Sequence, residues 1–521
     1  MRLKMKNTLT LLTIVITFTF VMGACTNSTS DVATNPLDPP QTKAVDAWNM
    51  VEVGSVDTDP DLPYSKLAPW PNTDDGRYLY SGCYVPYRAF MTVDVKDPTQ
   101  PKRLATVFTY DPIESPPPPK EHPVWKDNKY NSLPIKTPCG DWKGYKPGDT
   151  VTPTGWDPGW NTHSHFVSQS GDILVANMER WRLGSSNRPN YHGIKVYDVS
   201  KPEKPEFLSY LEVPASDPHP KSGVYQDAIG AHHFHFDGRY VYMGSNYKGF
   251  IDRILVIVDL KDPKNPVEAG KWWIKGQKTP EEDAVRDWIP QSSFNDPIFP
   301  DPATGKLTKK VGLHYAAATK DRVYLSYHQA GLVILDVKDK SNPKLISRLD
   351  YHVPNYPGNP NSEKCIEQNG PDSACGNTHA AKLIPGRDLL WVTDEYFNCP
   401  YGHLRFVDIS DEKNPKIISN FLYDVNLDCG AEWPARTPST HIGNAFNKNL
   451  LFLAWYGYGV RAIDISDPYN PVETGHYNYE ISEDIKGSEC YDVIFGPGRY
   501  LYVSDSKAGL RVLKYTGPWL D

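Results

Sequence analysis

One phrase recurs along the chain and limits what it can fold into. Alternating β-branched and other apolar residues lead to an Asp, and a turn rich in Asp, Asn and Pro follows. It reads Met91-Thr92-Val93-Asp94-Val95-Lys96-Asp97-Pro98 first, then Val196-Tyr197-Asp198-Val199-Ser200, then Leu255-Val256-Ile257-Val258-Asp259-Leu260. Further copies centre on Asp336, Asp408 and Asp464, and a degenerate one ends the chain at Leu510-Arg511-Val512-Leu513. Asn-Pro follows at Asn265-Pro266, Asn342-Pro343, Asn414-Pro415 and Asn470-Pro471. Period-two alternation bounded by such residues reads as strand, turn, strand and excludes helical repeats. A second strand precedes each copy, as in Arg239-Tyr240-Val241-Tyr242-Met243, a shorter one precedes that, and a fourth follows the Asn-Pro turn. Seven units of four strands predict an all-β, seven-bladed β-propeller over residues 46–521.

The seventh unit reaches Asp521 without a fourth strand. Near the other terminus Val51-Glu52-Val53-Gly54 matches Val267-Glu268-Ala269-Gly270 and Val472-Glu473-Thr474-Gly475, both fourth strands. The N-terminal segment is therefore predicted to complete the last blade, which removes an exposed edge. The gap from Asp94 to Asp198 is wider than later gaps, and the excess lies at about residues 111–161, with Trp125, Trp142, Trp156 and Trp160. Such an insertion on a rigid scaffold reads equally as a functional lid or as a loop without a role. Leu255 to Asp259 spells LVIVD itself, and over most of Met50–Asp521 the chain resembles an LVIVD-repeat β-propeller protein. That resemblance implies a bacterial or archaeal cell-surface propeller and leaves the activity open.

Arg2, Lys4 and Lys6 precede an apolar stretch that ends in Met22-Gly23-Ala24-Cys25. This is the layout of a secretory signal, and it resembles a bacterial lipoprotein signal with Cys25 as the acylated residue, although Met22 is unusual at its position. Residues 26–45 form a polar tether after the signal of residues 1–25. An exported protein anchored to the membrane through Cys25, facing periplasm or cell exterior, is the expectation. In that compartment the seven cysteines after Cys25 lean towards disulfides, with Cys365 and Cys375 the nearest pair. The net charge of −8 comes without a basic stripe and gives no footprint for nucleic acid.

Histidines fall in one register of the repeat. His163, His314, His379 and His441 sit at the start of first strands, and His232-His233-Phe234-His235 occupies that place in a further unit. The first strand of a blade is innermost, so these side chains are expected to face the central channel. His163 and His165 are two apart, as are His233 and His235, so each pair is expected to share a face. The last unit carries Cys490 or Tyr491 there, so the repeat itself does not demand histidine. A ring of imidazoles can present several nitrogens to one transition metal, with copper, iron, manganese and zinc all admissible. Glu395, Tyr396 and Asp227 lie near the same rim and are candidates for acid–base or supporting roles.

Three readings follow. A metal-dependent enzyme on the propeller axis, an oxidoreductase by preference, uses the ring directly. A polysaccharide lyase would use His and Tyr as acid and base. A non-catalytic module for glycan or protein would instead use the 32 Tyr and 14 Trp, although Tyr240, Tyr324 and Tyr500 recur inside strands as packing residues.

Overall fold

The computed structural model describes residues 43–56, 76–82, 88–108, 136–137, 140–141, 162–163, 166–181, 193–214, 228–250, 252–275, 277–278, 312–328, 330–349, 377–395, 402–421, 439–480, 489–505 and 508–521. The chain divides into residues 1–38 and a compact unit, Pro39–Asp521, which contains all of these. Strands dominate, and the one helical element among the described residues is a 3-10 turn at Pro497–Arg499. None of the described helices is long and apolar enough to cross a membrane.

The predicted four-strand antiparallel unit recurs, and two consecutive units are joined into one nine-stranded sheet where Ile173–Trp181 pairs with Ala228–Phe236. Ala228–Phe236, Tyr240–Asn246, Arg253–Asp259 and Val267–Trp272 pair in sequence order. So do Tyr315–Ala318, Arg322–Ser326, Leu332–Asp336 and Lys344–Leu349. Thr378–Leu383, Leu389–Asp394, Leu404–Asp408 and Lys416–Phe421 form the next sheet. Gly443–Ala445, Leu450–Ala454, Val460–Asp464 and Val472–Glu480 follow. A further unit runs Val167–Ser170, Ile173–Trp181, Gly193–Asp198 and Glu206–Glu212. The first repeat shows three strands among the described residues, Tyr78–Gly82, Arg88–Asp94 and Lys102–Phe108.

The N-terminal strand goes where the four-residue match places it. Met50–Val56 pairs with Gly509–Tyr515, which pairs with Tyr500–Asp505 and through it with Cys490–Gly496. The register carries a shift between Glu52, opposite Leu513, and Gly54, opposite Val512. Glu268 and Gly270 flank the same shift against Val258 and Ile257, and Glu473 and Gly475 flank it against Ile463 and Ala462. This bulge explains the glycine, because a Cβ at Gly54 would stand 2.4 Å from the carbonyl oxygen of Pro98. One strand was not foreseen: Lys43–Trp48, which straddles the boundary drawn between tether and propeller at residue 45, adds to the outer edge of Val472–Glu480.

Apolar faces of consecutive sheets bury one another. Leu255 and Ile257 pack with Leu325 and Leu335, and Ile334 packs with Val392 and Leu390. Leu501 and Val503 lie with Phe452 and Ala462, and Tyr80 and Phe90 with Leu174 and Ala176. Leu510 and Val512, near the end of the chain, pack with Leu79, Met91 and Val93 near its beginning.

The repeated Asp is a turn residue, as its recurrence predicts. Its Oδ1 accepts the backbone N–H two residues on, in Asp94, Asp198, Asp259, Asp336, Asp408 and Asp464, all at 2.8–2.9 Å. In five of the six a second Asp three residues later does the same, and in three an Asn clasps it, as Asn265 does Asp262 at 2.7 Å. The insertion at 111–161 lies outside the described residues apart from the short pair Lys136–Thr137 and Gly140–Asp141.

Candidate metal centre

Five imidazoles from four sheets meet at the inner strand ends. His232 and His233 come from Ala228–Phe236, His314 immediately precedes Tyr315–Ala318, His379 lies in Thr378–Leu383, and His441 precedes Gly443–Ala445. All five are at most 3 % exposed. Ring centroids run 4.2 Å from His232 to His233, 4.4 Å on to His314, 4.0 Å to His379 and 4.2 Å to His441. A bulge between Ala231 and Phe234 lets two adjacent residues, His232 and His233, both turn inward. It also breaks the period-two expectation for His235, whose ring neighbour is Tyr242 at 6.4 Å and which does not join the cluster.

Hydrogen bonds fix the tautomers. His314 Nδ1 lies 3.0 Å from the carbonyl of His379, and His441 Nδ1 meets the carbonyl of Tyr491. A carbonyl only accepts, so both Nδ1 atoms carry hydrogen and both Nε2 atoms keep a lone pair. Burial, and then the neighbouring imidazoles, hold His314 neutral well below its ordinary value, and burial pulls His441 down to about 3. His232 Nδ1 is 2.6 Å from Glu179 Oε2, the carboxylate–imidazole pairing that orients metal-binding histidines. Its Nε2 faces His314 Nε2 at 2.8 Å, and with His232 neutral it too presents a lone pair there. Two lone pairs cannot stay at that distance with nothing positive between them.

Carboxylates flank the cluster at both ends. Glu395 is 4 % exposed, with Oε2 3.4 Å from His379 Nε2 and Oε1 4.0 Å from His441 Nε2. The Tyr456 hydroxyl donates to Glu395 Oε1, and burial followed by that carboxylate raises Tyr456 well above the usual phenol range. At the other end Glu179 lies 3.7 Å from Arg253, whose guanidinium reaches His328 Nε2 at 3.1 Å. The donor atoms form two triads, His232–His233–His314 and His314–His379–Glu395, the atoms of each within 4.8 Å of one another. Imidazole and carboxylate donors of this kind suit copper, iron, zinc or manganese.

The sequence-predicted residues divide as follows. His232, His233, His314, His379, His441 and Glu395 come together. His163 is paired by its backbone with Glu179. His165, Asp227, Tyr396 and Cys25 lie outside the described residues, as do Cys365 and Cys375. Cys490 is buried, with its Sγ 3.2 Å from the Tyr479 hydroxyl. Asp394, next to Glu395, turns to an ion pair with buried Arg405 instead of the cluster. Sequence reading passed over Glu179 and Tyr456. A lone Glu in the apolar run Ile173-Leu174-Val175-Ala176-Asn177-Met178-Glu179 was the available signal for the first.

The class these features define is an all-β propeller with a buried imidazole–carboxylate cluster. A family model of the LVIVD repeat matches residues 321–350 and 449–479. The chain thus carries LVIVD repeats within an all-β fold. No curated protein matches it. Among solved structures it is similar to the Cps50 (Swd1) β-propeller domain of Myceliophteria thermophila, at 10 % identity and a TM-score of 0.42, over 91 % of this chain and 99 % of that one. It is similar also to YCF48 bound to D1 peptide, at 9 % identity and a TM-score of 0.40, over 93 % and 99 %.

Proposed function

We propose that this is an exported, lipid-anchored, seven-bladed propeller closed by its N-terminal strand, and that it is a metal-dependent oxidoreductase. The pairing of Met50–Val56 with Gly509–Tyr515 and the packing of Leu510 on Met91 support the closed ring. The signal-like start ending in Cys25 supports export and anchoring.

The observation that carries the metal reading is the contact between His232 Nε2 and His314 Nε2 at 2.8 Å, because with His232 neutral the partners of both Nδ1 atoms leave a lone pair on each facing nitrogen. A transition cation resolves that repulsion, and a first-row ion on imidazoles supplies redox or Lewis-acid chemistry. Glu179 holds the His232 tautomer, while Glu395 stands beside His379 and His441 with Tyr456 fixing its Oε1. Tyr456 keeps its proton at neutral pH and so stays the donor that holds Glu395 Oε1 in place.

A competing arrangement puts a proton between the two nitrogens, with His232 an imidazolium against Glu179. Metal analysis of untagged protein separates the two. The His379→Ala, His441→Ala double variant is expected to lose metal and turnover while its strand circular dichroism is unchanged. Metal retained in that variant would remove the site assignment.

A further inference from the structure

A line of tyrosines leads from the histidine cluster to the outer strands, and its meaning rests on the reading of that cluster as an oxidoreductase centre. Tyr456 is the inner member, its ring 4.8 Å from His441 and 5.3 Å from Tyr491. Its backbone carbonyl accepts the N–H of Cys490 at 3.1 Å. The Sγ of Cys490 lies 3.2 Å from the hydroxyl of Tyr479, whose ring stands 5.5 Å from that of Tyr477. All three phenols donate to a carboxylate. Tyr456 bonds Glu395, Tyr479 bonds Asp505 at 2.6 Å, and Tyr477 bonds the partly exposed Glu52 at 3.2 Å. The repeat does not demand this pattern. The register of Tyr477 holds Trp272, Leu349 and Phe421 in other sheets. Tyr515, also buried, gives its hydroxyl to Thr474 at 2.9 Å instead.

A phenol that loses an electron becomes a strong acid, and a buried one must pass its proton to a base within hydrogen-bond reach. The phenol–carboxylate pair then goes from one buried negative charge to none, which burial favours. Burial, and then Asp505, raise the Tyr479 phenol well above its usual range, so its proton leaves only with the electron. We propose that Tyr456, Tyr479 and Tyr477 form a radical relay, which passes electrons singly from the outer strands to a one-electron-oxidising metal at the cluster. In each step a tyrosine gives its electron inward and its proton to its own carboxylate. A neutral phenoxyl radical and a carboxylic acid remain. The electron from the next tyrosine outward, with return of that proton, restores the pair. A one-electron reductant outside the protein supplies Tyr477 last.

The test uses the untagged mature protein stripped with a chelator, so that its outcome is separate from metal binding. Tris(bipyridine)ruthenium(III), generated by a flash in the presence of persulfate, oxidises the protein from outside. Electron paramagnetic resonance after freezing at a fixed delay reads the tyrosyl radical. A persistent signal is expected in the wild type and, undiminished, in Tyr515→Phe. Most of it should be lost in Tyr479→Phe, and also in Asp505→Asn, where the phenol remains but no base takes its proton. Equal signals in all of these proteins would place the radical on ordinary surface tyrosines and overturn the relay, as would no signal at all. If Asp505→Asn fails to fold, Tyr477→Phe takes its place, with the same loss expected and an undiminished signal overturning the relay. Uptake of copper(II) on reloading is measured alongside. A bound ion with no relay signal overturns the relay alone, and a relay signal with no bound ion overturns the metal reading.

Discussion

The outer turns and the inner strand ends of this molecule repeat with equal regularity, yet they repeat different things. At the outer turns Asp94, Asp198, Asp259, Asp336, Asp408 and Asp464 each accept the same backbone N–H two residues on. The residue and its partner recur together, so the position is structural. At the inner ends the histidines recur but their partners do not. His232 takes a carboxylate, His314 the carbonyl of the next histidine, His441 the carbonyl of Tyr491, and His379 approaches Glu395. A repeat that reuses a residue with new partners each time is converging side chains on a shared point, whereas one that reuses the partner as well is making a turn.

Substitutions can break or sharpen that contrast. The largest effect is expected at an inner partner. Glu179→Gln removes the charge that orients His232, and metal affinity should fall about 10–100-fold, measured by chelator competition. An unchanged affinity would make Glu179 a bystander. Gly54→Val next tests the seventh unit, because its Cβ would meet the Pro98 carbonyl oxygen at 2.4 Å. A loss of about 2 kcal/mol in denaturant unfolding is expected, without change in metal content.

A smaller effect attaches to the strand Lys43–Trp48. His476 sits between Glu473 at 2.7 Å and Asp46 at 3.1 Å, and those hydrogen bonds raise its pKa above 6.5, with Glu473 the larger cause. A raised histidine stabilises fully below its unfolded value and loses that contribution as pH rises through the folded one. His476→Gln should therefore cost about 0.5 kcal/mol below pH 6 after solvent screening and nothing near pH 9. Equal cost at both pH values would contradict the link. Smallest and most uniform should be the outer turns. Asp259→Ala and Asp408→Ala are expected to lower stability alike, by about 1 kcal/mol or less, and to leave metal binding untouched. A metal effect from either would erase the distinction between the two regions.

The fold was largely legible because its signals are local. Period-two strands and Asp–Asn turns are written within ten residues, and the match of Val51 to Gly54 with other fourth strands located a pairing across the whole chain. The inner histidines were legible as a register, and five of them meet. His235 was misplaced because the bulge at Ala231/Phe234 shifts which side chains face inward, and nothing in His232-His233-Phe234-His235 announces a bulge. Glu179 and Tyr456 stayed hidden for a different reason. Their roles come from contacts with residues of other sheets, Glu179 with His232 and Tyr456 with Glu395, which no single repeat spells out. Lys43–Trp48 was not read as a strand because its polar, mixed pattern gains strand character only against the edge of Val472–Glu480.

X-ray absorption at the metal edge of the loaded, untagged protein tests the central claim most directly. A first shell of nitrogen and oxygen at about 2.0–2.1 Å, with the outer-shell scattering of several imidazoles, is the result this account predicts. A shell containing sulfur, which would point to Cys490, or one of water oxygens without imidazole scattering, would contradict it.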